Sequence, residues 1–286
     1  MSGKVVSFLN MKGGVCKTTL CKEMALFLVK KMAKNVLVID IDPQSNCTQS
    51  FFERYGVLQI EEGDIIKENL NLPSIENIFT RSRGRLGTPD MDKIIYPLEK
   101  GLNLIPGDLN TVFMERETGT GAAEQKLLNF INQHNLRKQY DYIFIDCPPT
   151  YSFYTVSALL ASDYYLVPLR PDAYSLLGLD LLERVVQELR ETYVDTFSNK
   201  PIVNLGVILT KVYKNPNKGV IKNIEQIIET FSEKDIYFFD NRFINMEKIS
   251  TGKLSTFILD RDDNELTSCL QGICYEFEER VTGLNG

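Results

Sequence analysis

The stretch NMKGGVCKTTL, Asn10 to Leu20, follows the apolar run Val5-Val6-Ser7-Phe8-Leu9 and opens a segment with helical spacing, Thr18–Met32. A glycine-rich turn between a buried strand and a helix is the setting a phosphate cradle needs. Successive backbone N–H groups and the helix N-terminus converge there on an anion. Lys17 sits where it can reach β and γ phosphates, and the Thr18 hydroxyl where it can ligate Mg²⁺. The general loop pattern GxxxxGK[ST] is nevertheless broken at both glycines, by Met11 and Cys16. If Cys16 is left-handed, its Cβ costs about 1–2 kcal/mol. If it is right-handed, its N–H donates without penalty. Several charge-assisted phosphate contacts outweigh a cost of that size, so the loop reads as functional. The thiol itself reads either as a small apolar group or as a reactive one, its pKa lowered by the helix N-terminus.

Outward from this loop, short apolar runs rich in β-branched residues recur at Val5–Leu9, Val36–Ile41, Leu102–Ile105, Tyr142–Ile145, Tyr165–Leu169, Val203–Leu209 and Ile236–Phe239. They lack strict alternation, which is how strands covered on both faces of a parallel sheet read. Helical spacing occupies Thr18–Met32, Glu124–His134, Leu176–Glu191, Val220–Phe231 and Leu266–Val281. This alternation predicts an α/β fold, a doubly wound, mostly parallel sheet flanked by helices, with ligands beyond the carboxyl ends of the strands. The polar stretch Thr80–Asp92 reads as a loop, and residues 1–286 as a single domain. Two of the runs end in carboxylates on the ligand side. Alternation puts Asp40 and Asp42 on one side, where they can position water and hold hydrated Mg²⁺. Asp42, before Pro43, also reads as a solvated turn residue. Asp146 closes the run from Tyr142, where it reaches a Mg²⁺ shell or caps a helix.

Lys12 to Thr19 match a narrower pattern, xKGGxGK[ST], at every fixed position except Cys16. In this they resemble the deviant Walker A loop of the ParA/MinD family of P-loop ATPases. Asp40-Ile41-Asp42-Pro43-Gln44-Ser45-Asn46 resembles the family's DxDPQxN segment, and Tyr140 to Pro149 its Walker B segment, YDYIxIDxPP. Val167 to Leu179 is similar to VPxxPxxxxLxGL, and Gly206 to Thr210 to GVxxT. Phe239-Asp240-Asn241-Arg242-Phe243 departs from the family's IPRN-like segment, from which adenine contacts often come. The resemblance covers nearly the whole chain and implies a P-loop NTPase fold, ATP and Mg²⁺ as cofactors, and hydrolysis of ATP to ADP and phosphate. It also implies site roles. Lys12, Gly13, Gly14, Val15, Cys16, Lys17, Thr18, Thr19 and Asp42 bind nucleotide, Thr18 and Asp146 hold the metal, and Asp40 attends the attacking water. Lys12 reaches across a nucleotide-bound homodimer to the partner's phosphates, acting in catalysis with Lys17 and Asp40. DNA-partitioning members bind nonspecific DNA through basic residues late in the chain. Lys211, Lys214, Lys218, Lys222 and Arg242 fall in the matching region, with Lys214, Lys218 and Arg242 as the contacts expected. The turn 213–219 also reads as a solvated charged loop.

Bulk properties narrow the choice. A net charge of −6 and a pI near 5.1 exclude a globally basic nucleic-acid coat, so any DNA contact is local. His134 is the sole histidine and reads as solvated; a histidine triad or multi-histidine metal centre cannot form. The six cysteines show no zinc-site spacing and no disulfide density, which fits a reducing cytoplasm. No secretory h-region or long apolar run is present. The stretch Cys274 to Arg280 is acidic, against a MinD-like membrane helix. No cysteine pair matches the cluster ligands of a nitrogenase-type iron protein. With the loop so near the start, the sequence leaves no room ahead of it for an added DNA-binding domain. The expectation is therefore a small ParA/Soj-type partition ATPase, cytoplasmic and nucleoid-associated when on DNA. A ParB-like centromere-binding partner would stimulate it in plasmid or chromosome segregation, with no membrane partner. The alternative is a MinD-like or orphan positioning ATPase for a membrane or protein cargo.

Overall fold

Side chains that alternate along each strand divide between two apolar layers. Val5, Leu37, Ile39, Ile143 and Ile145 join one buried cluster, while Val6, Phe8, Val36, Val38, Tyr142 and Phe144 join another. A sheet with both faces apolar must be covered twice, which is why the strands read as continuous apolar runs. The computed structural model describes residues 2–57, 59–61, 64–66, 73–79, 94–108, 121–172, 174–244 and 255–284. Its strands are β1 (Lys4–Phe8), β2 (Val36–Asp40), β3 (Gln59–Glu61), β4 (Asp64–Ile66), β5 (Tyr96–Glu99), β6 (Leu102–Ile105), β7 (Tyr142–Asp146), β8 (Tyr164–Leu169), β9 (Val203–Val212) and β10 (Phe243–Ile244). Eight of them form one sheet in the order β10-β9-β8-β1-β7-β2-β6-β5. Every neighbouring pair is parallel except β5 with β6. β3 and β4 form a separate antiparallel hairpin.

The longer helices are α1 (Lys17–Met32), α2 (Asn46–Arg54), α3 (Lys126–Gln133), α4 (Phe153–Ala161), α5 (Ser175–Thr192), α6 (Lys218–Ser232) and α7 (Asn264–Gly283). α1 is buried without a break from Leu20 to Leu28, because the sheet lies on one side of it and α7 on the other. α7 gives its own apolar face, Leu266, Leu270, Ile273, Phe277 and Val281, to the same core. The central strands β1, β7 and β2 therefore deliver their carboxyl ends to one place.

The sequence reading departs from the structure at several elements. Ile236–Phe239 is not a strand: it makes a single bridge, Val207 to Phe238, and the edge position belongs to β10. The cause is a bulge in β9, where Leu205 is skipped between the pairs Tyr165–Asn204 and Leu166–Gly206. Gly206 there adopts φ +147°, and a Cβ on it would meet the Phe239 ring at 2.7 Å. β5 escapes a pattern search because Pro97 interrupts it, which an edge strand tolerates. The stretch Glu124–His134 divides at Gln125 into a short turn of helix and α3. Thr80–Asp92 lies outside the described residues. His134 is half-buried instead of solvated, its ring 4.6 Å from that of Phe130 one turn earlier. Gly206→Ala should lower unfolding stability by about 1–3 kcal/mol through ring displacement and backbone strain, read as a lower urea midpoint with an unchanged slope.

Candidate functional site

The loop after β1 is pinned at both ends before it reaches α1. The Asn10 side chain donates to the Pro168 carbonyl at 2.8 Å and accepts from the Lys12 N–H at 2.9 Å. Farther along, the Thr210 hydroxyl of β9 donates to the Val15 carbonyl at 3.1 Å. Val15 itself is buried, so its contribution to the site is backbone. Gly13 and Gly14 stand exposed, with open space where a Cβ would point. Cys16 is left-handed, φ 70° and ψ 27°, at the N-cap of α1. The strain cost set out above therefore applies in full. Burial pushes its thiol up, outweighing Lys211, Thr210 and Arg170, which favours the small apolar reading over the reactive one.

Lys17 is buried, and its ammonium donates to the Lys12 carbonyl at 3.2 Å. Burial lowers its pKa against the pull of Asp146, Cys147 and Asp42. The Lys12 side chain points elsewhere, to the Asp172 carboxylate and to within 6.0 Å of the Tyr174 ring centroid. The two lysines of the motif thus have different partners.

Asp40 and Asp146 occupy facing register positions on β2 and β7, and both are fully buried. Asp40 is saturated. One oxygen accepts from the Thr48 N–H at 2.8 Å and the Thr48 hydroxyl at 2.7 Å, and the other from the Asp42 N–H at 3.3 Å. Gly107 supports this arrangement, donating its N–H to the Thr48 hydroxyl at 2.8 Å. A Cβ on Gly107 would lie 2.8 Å from Ser45 Oγ and 3.0 Å from Asp40 Cγ. Asp146, by contrast, completes no hydrogen bond of good geometry at either oxygen among the described residues. Burial and the Asp40 charge push its carboxyl well above the usual range, against Thr18 and Lys17. Asp42 is buried in a tight turn, accepting from the Gln44 N–H at 2.9 Å, and is not the solvated residue its context allowed.

Several of these groups line one cavity of about 460 Å³; Lys12 and the fully buried Asp40 and Asp146 do not. Gly13, Gly14, Cys16, Lys17, Thr18 and Thr19 form one wall, and Asp42, Gln44 and Asn46 another. A third wall was invisible in the sequence: Lys22 and Glu23 of α1 with Thr256, Ile258 and Arg261. The Glu23 carboxylate accepts from the Ile258 N–H at 2.9 Å, and burial pushes its pKa up to about 7. The segment Phe239–Phe243, where base contacts were sought, does not line the cavity. Glu276 holds it instead, accepting from the Asp240 and Asn241 N–H groups at 2.7 and 2.9 Å. Of the expected DNA contacts, Lys218 and Arg242 are exposed, and Lys214 pairs with Glu265 at 3.0 Å. Arg242 enters β10 beside the end of β9, so the basic residues gather at one sheet edge.

Asp146 sets a buried carboxylate beside the Thr18 hydroxyl and the Lys17 ammonium. Thr18 and Asp146 thus fit a hydrated Mg²⁺, and the exposed amides of Gly13 and Gly14 fit phosphate oxygens. Cys16→Gly should raise stability by about 1 kcal/mol, read by urea unfolding. Because the folded pKa of Glu23 lies above its unfolded value, its contribution to stability is complete at low pH and is lost as pH rises towards about 7. Glu23→Gln, which keeps the acceptor for Ile258, should flatten the pH dependence of unfolding across that interval.

Comparisons with known proteins agree with this geometry. Residues 3–199 match the model of an AAA domain family. The sporulation initiation inhibitor protein Soj of Bacillus subtilis is 30% identical over 81% of each chain. An uncharacterized protein of Methanocaldococcus jannaschii is 30% identical over 85% of this chain and 86% of that one. Among solved structures, a plasmid partition protein of Borrelia burgdorferi bound to AMPPNP superposes with a TM-score of 0.71 at 24% identity, covering 98% of this chain and 100% of that one. The chain belongs to the family of ParA-type partition ATPases.

Proposed function

We propose that residues 1–286 act as one domain that binds ATP with Mg²⁺, forms a homodimer on the nucleotide, hydrolyses it and separates, so driving DNA segregation. The observation that carries this reading is the buried Asp146 carboxylate beside Thr18 and Lys17, two residues that line a cavity together with Gly13 and Gly14. Mg²⁺ held by Thr18 and Asp146 would neutralise charge on the phosphates. The Gly13 and Gly14 amides bind the phosphates, and Lys17 exchanges the Lys12 carbonyl for them. Lys12 leaves Asp172 and crosses to the other subunit. Asp40 acquires an attacking water when Thr48, its present partner, is drawn aside. Lys214, Lys218 and Arg242 contact DNA phosphates in the nucleotide state, and a ParB-like protein stimulates turnover.

Sizing with and without ATP–Mg²⁺ should give a dimer only with nucleotide, and Lys12→Ala should remain monomeric. A constant parental size would sink the sandwich. Asp40→Ala and Asp146→Asn should each lower turnover by about 100-fold or more. In the first, nucleotide-dependent dimerisation should survive. ATP-dependent DNA binding should weaken steeply with salt, and each of Lys214, Lys218 and Arg242 changed to Ala should reduce the salt slope by about 1. No mobility shift at low salt would favour a positioning ATPase with a protein cargo.

A further inference from the structure

Two costs meet at Ser45. Its backbone is left-handed, φ 52° and ψ 30°, where a Cβ is disfavoured. Its hydroxyl is buried and has no hydrogen-bond partner among the described residues. The position is the N-cap of α2, and the Ser45 carbonyl already accepts the first helical bond, from the Gln49 N–H at 3.0 Å. A serine there ordinarily has an extended backbone, and its side chain accepts from the amide two or three residues on. Three residues on is Thr48, whose N–H is taken by Asp40 at 2.8 Å. The helix is thus capped from the end of β2, while its own cap stands idle. Ser45 occupies an open position of the DxDPQxN pattern, so the family resemblance gives it no role.

We infer that Ser45 and Asp40 are alternative caps of α2, and that the exchange between them releases Asp40 to position water. The inference rests on the role proposed above for Asp40 and names the residue that frees it. Rotation of Ser45 from left-handed to extended backbone relieves the strained Cβ and lets the hydroxyl accept from the Thr48 N–H, so both costs at this residue vanish together. The groups that trade places are neighbours. A Cβ on Gly107 would lie 2.8 Å from Ser45 Oγ and 3.1 Å from Asp40 Oδ2, so the idle hydroxyl and the oxygen that now holds Thr48 flank the same point. As Thr48 turns to Ser45, Asp40 keeps only the longer bond from the Asp42 N–H at 3.3 Å and can accept from a water. The oxygen of that water bonds to the γ-phosphorus as the bond to the bridging oxygen breaks, and its proton leaves with the phosphate. The trigger is adjacent. Asp42, Gln44 and Asn46, on either side of Ser45, line the cavity, and the Ser45 N–H donates to the Asp42 carbonyl at 2.8 Å. A ligand that fills the cavity therefore acts on the turn that Ser45 closes.

The test combines turnover of ATP–Mg²⁺ with the carbon chemical shifts of Ser45, read in the full chain with and without AMPPNP–Mg²⁺. In the parent the analogue should move the Ser45 shifts from left-handed to extended values and displace the Thr48 amide resonance. Ser45→Gly removes the strain together with the hydroxyl, so its urea midpoint should rise while kcat falls at least tenfold, with KM and analogue affinity unchanged. Ser45→Ala, which keeps the strain, should lose turnover to the same extent. With a merely structural role, turnover would follow stability and the two substitutions would part. Ser45 shifts that stay left-handed with the analogue bound, or parental turnover in Ser45→Gly, would overturn the exchange and leave the proposed cycle standing. If the parent binds no analogue and hydrolyses no ATP, the cycle falls too.

Discussion

Two carboxylates kept dry on adjacent strands set the terms for the rest of this molecule. Asp40 and Asp146 end β2 and β7 at facing positions, both fully buried. Like charges this close in a poorly solvated place raise each other's pKa, and the cost is tolerable only where cations or donors converge. Thr48 and Gly107 serve Asp40, while Asp146 has the incomplete attention of Thr18 and Lys17. The fold is arranged to hold this imbalance in place. Continuous apolar runs bring β1, β7 and β2 side by side, and apolar layers cover both faces of the sheet.

Much of this could be read from the letters alone. The glycine pair, the lysines and the strand-end carboxylates are local features, each fixed within a few residues, and they fell where a doubly wound sheet puts them. What escaped reading depends on distant segments. The wall made by Glu23 and Ile258 joins residues 235 positions apart, and no local pattern encodes such a meeting. A charged pair, Lys22-Glu23, set between Leu20-Cys21 and the apolar run Met24–Val29 was the one available hint. The handedness of Cys16 was open because either conformation suits the same sequence, and of the two readings of its thiol burial favours the small apolar one. His134 looked solvated among charged neighbours, yet Phe130 lies one turn away. Pro97 hid an edge strand, and the bulge at Gly206 turned a promising apolar run into a single bridge.

Family membership and geometry bear on different questions. Similarity along most of the chain establishes the family and what kind of fold this is. It leaves unassigned the residues that distinguish one member from another, among them Asp172, Ser45 and Glu23. At these positions exposure, burial and hydrogen-bond accounting carry the argument.

The hydrogen bond from Thr210 to the Val15 carbonyl has a mechanical reach beyond anchoring. Thr210 immediately precedes Lys211, whose left-handed backbone, φ 54°, starts the turn that bears Lys214 and Lys218. The loop after β1 and the turn that carries Lys214 into α6 therefore share one strand end, joined through a single hydroxyl.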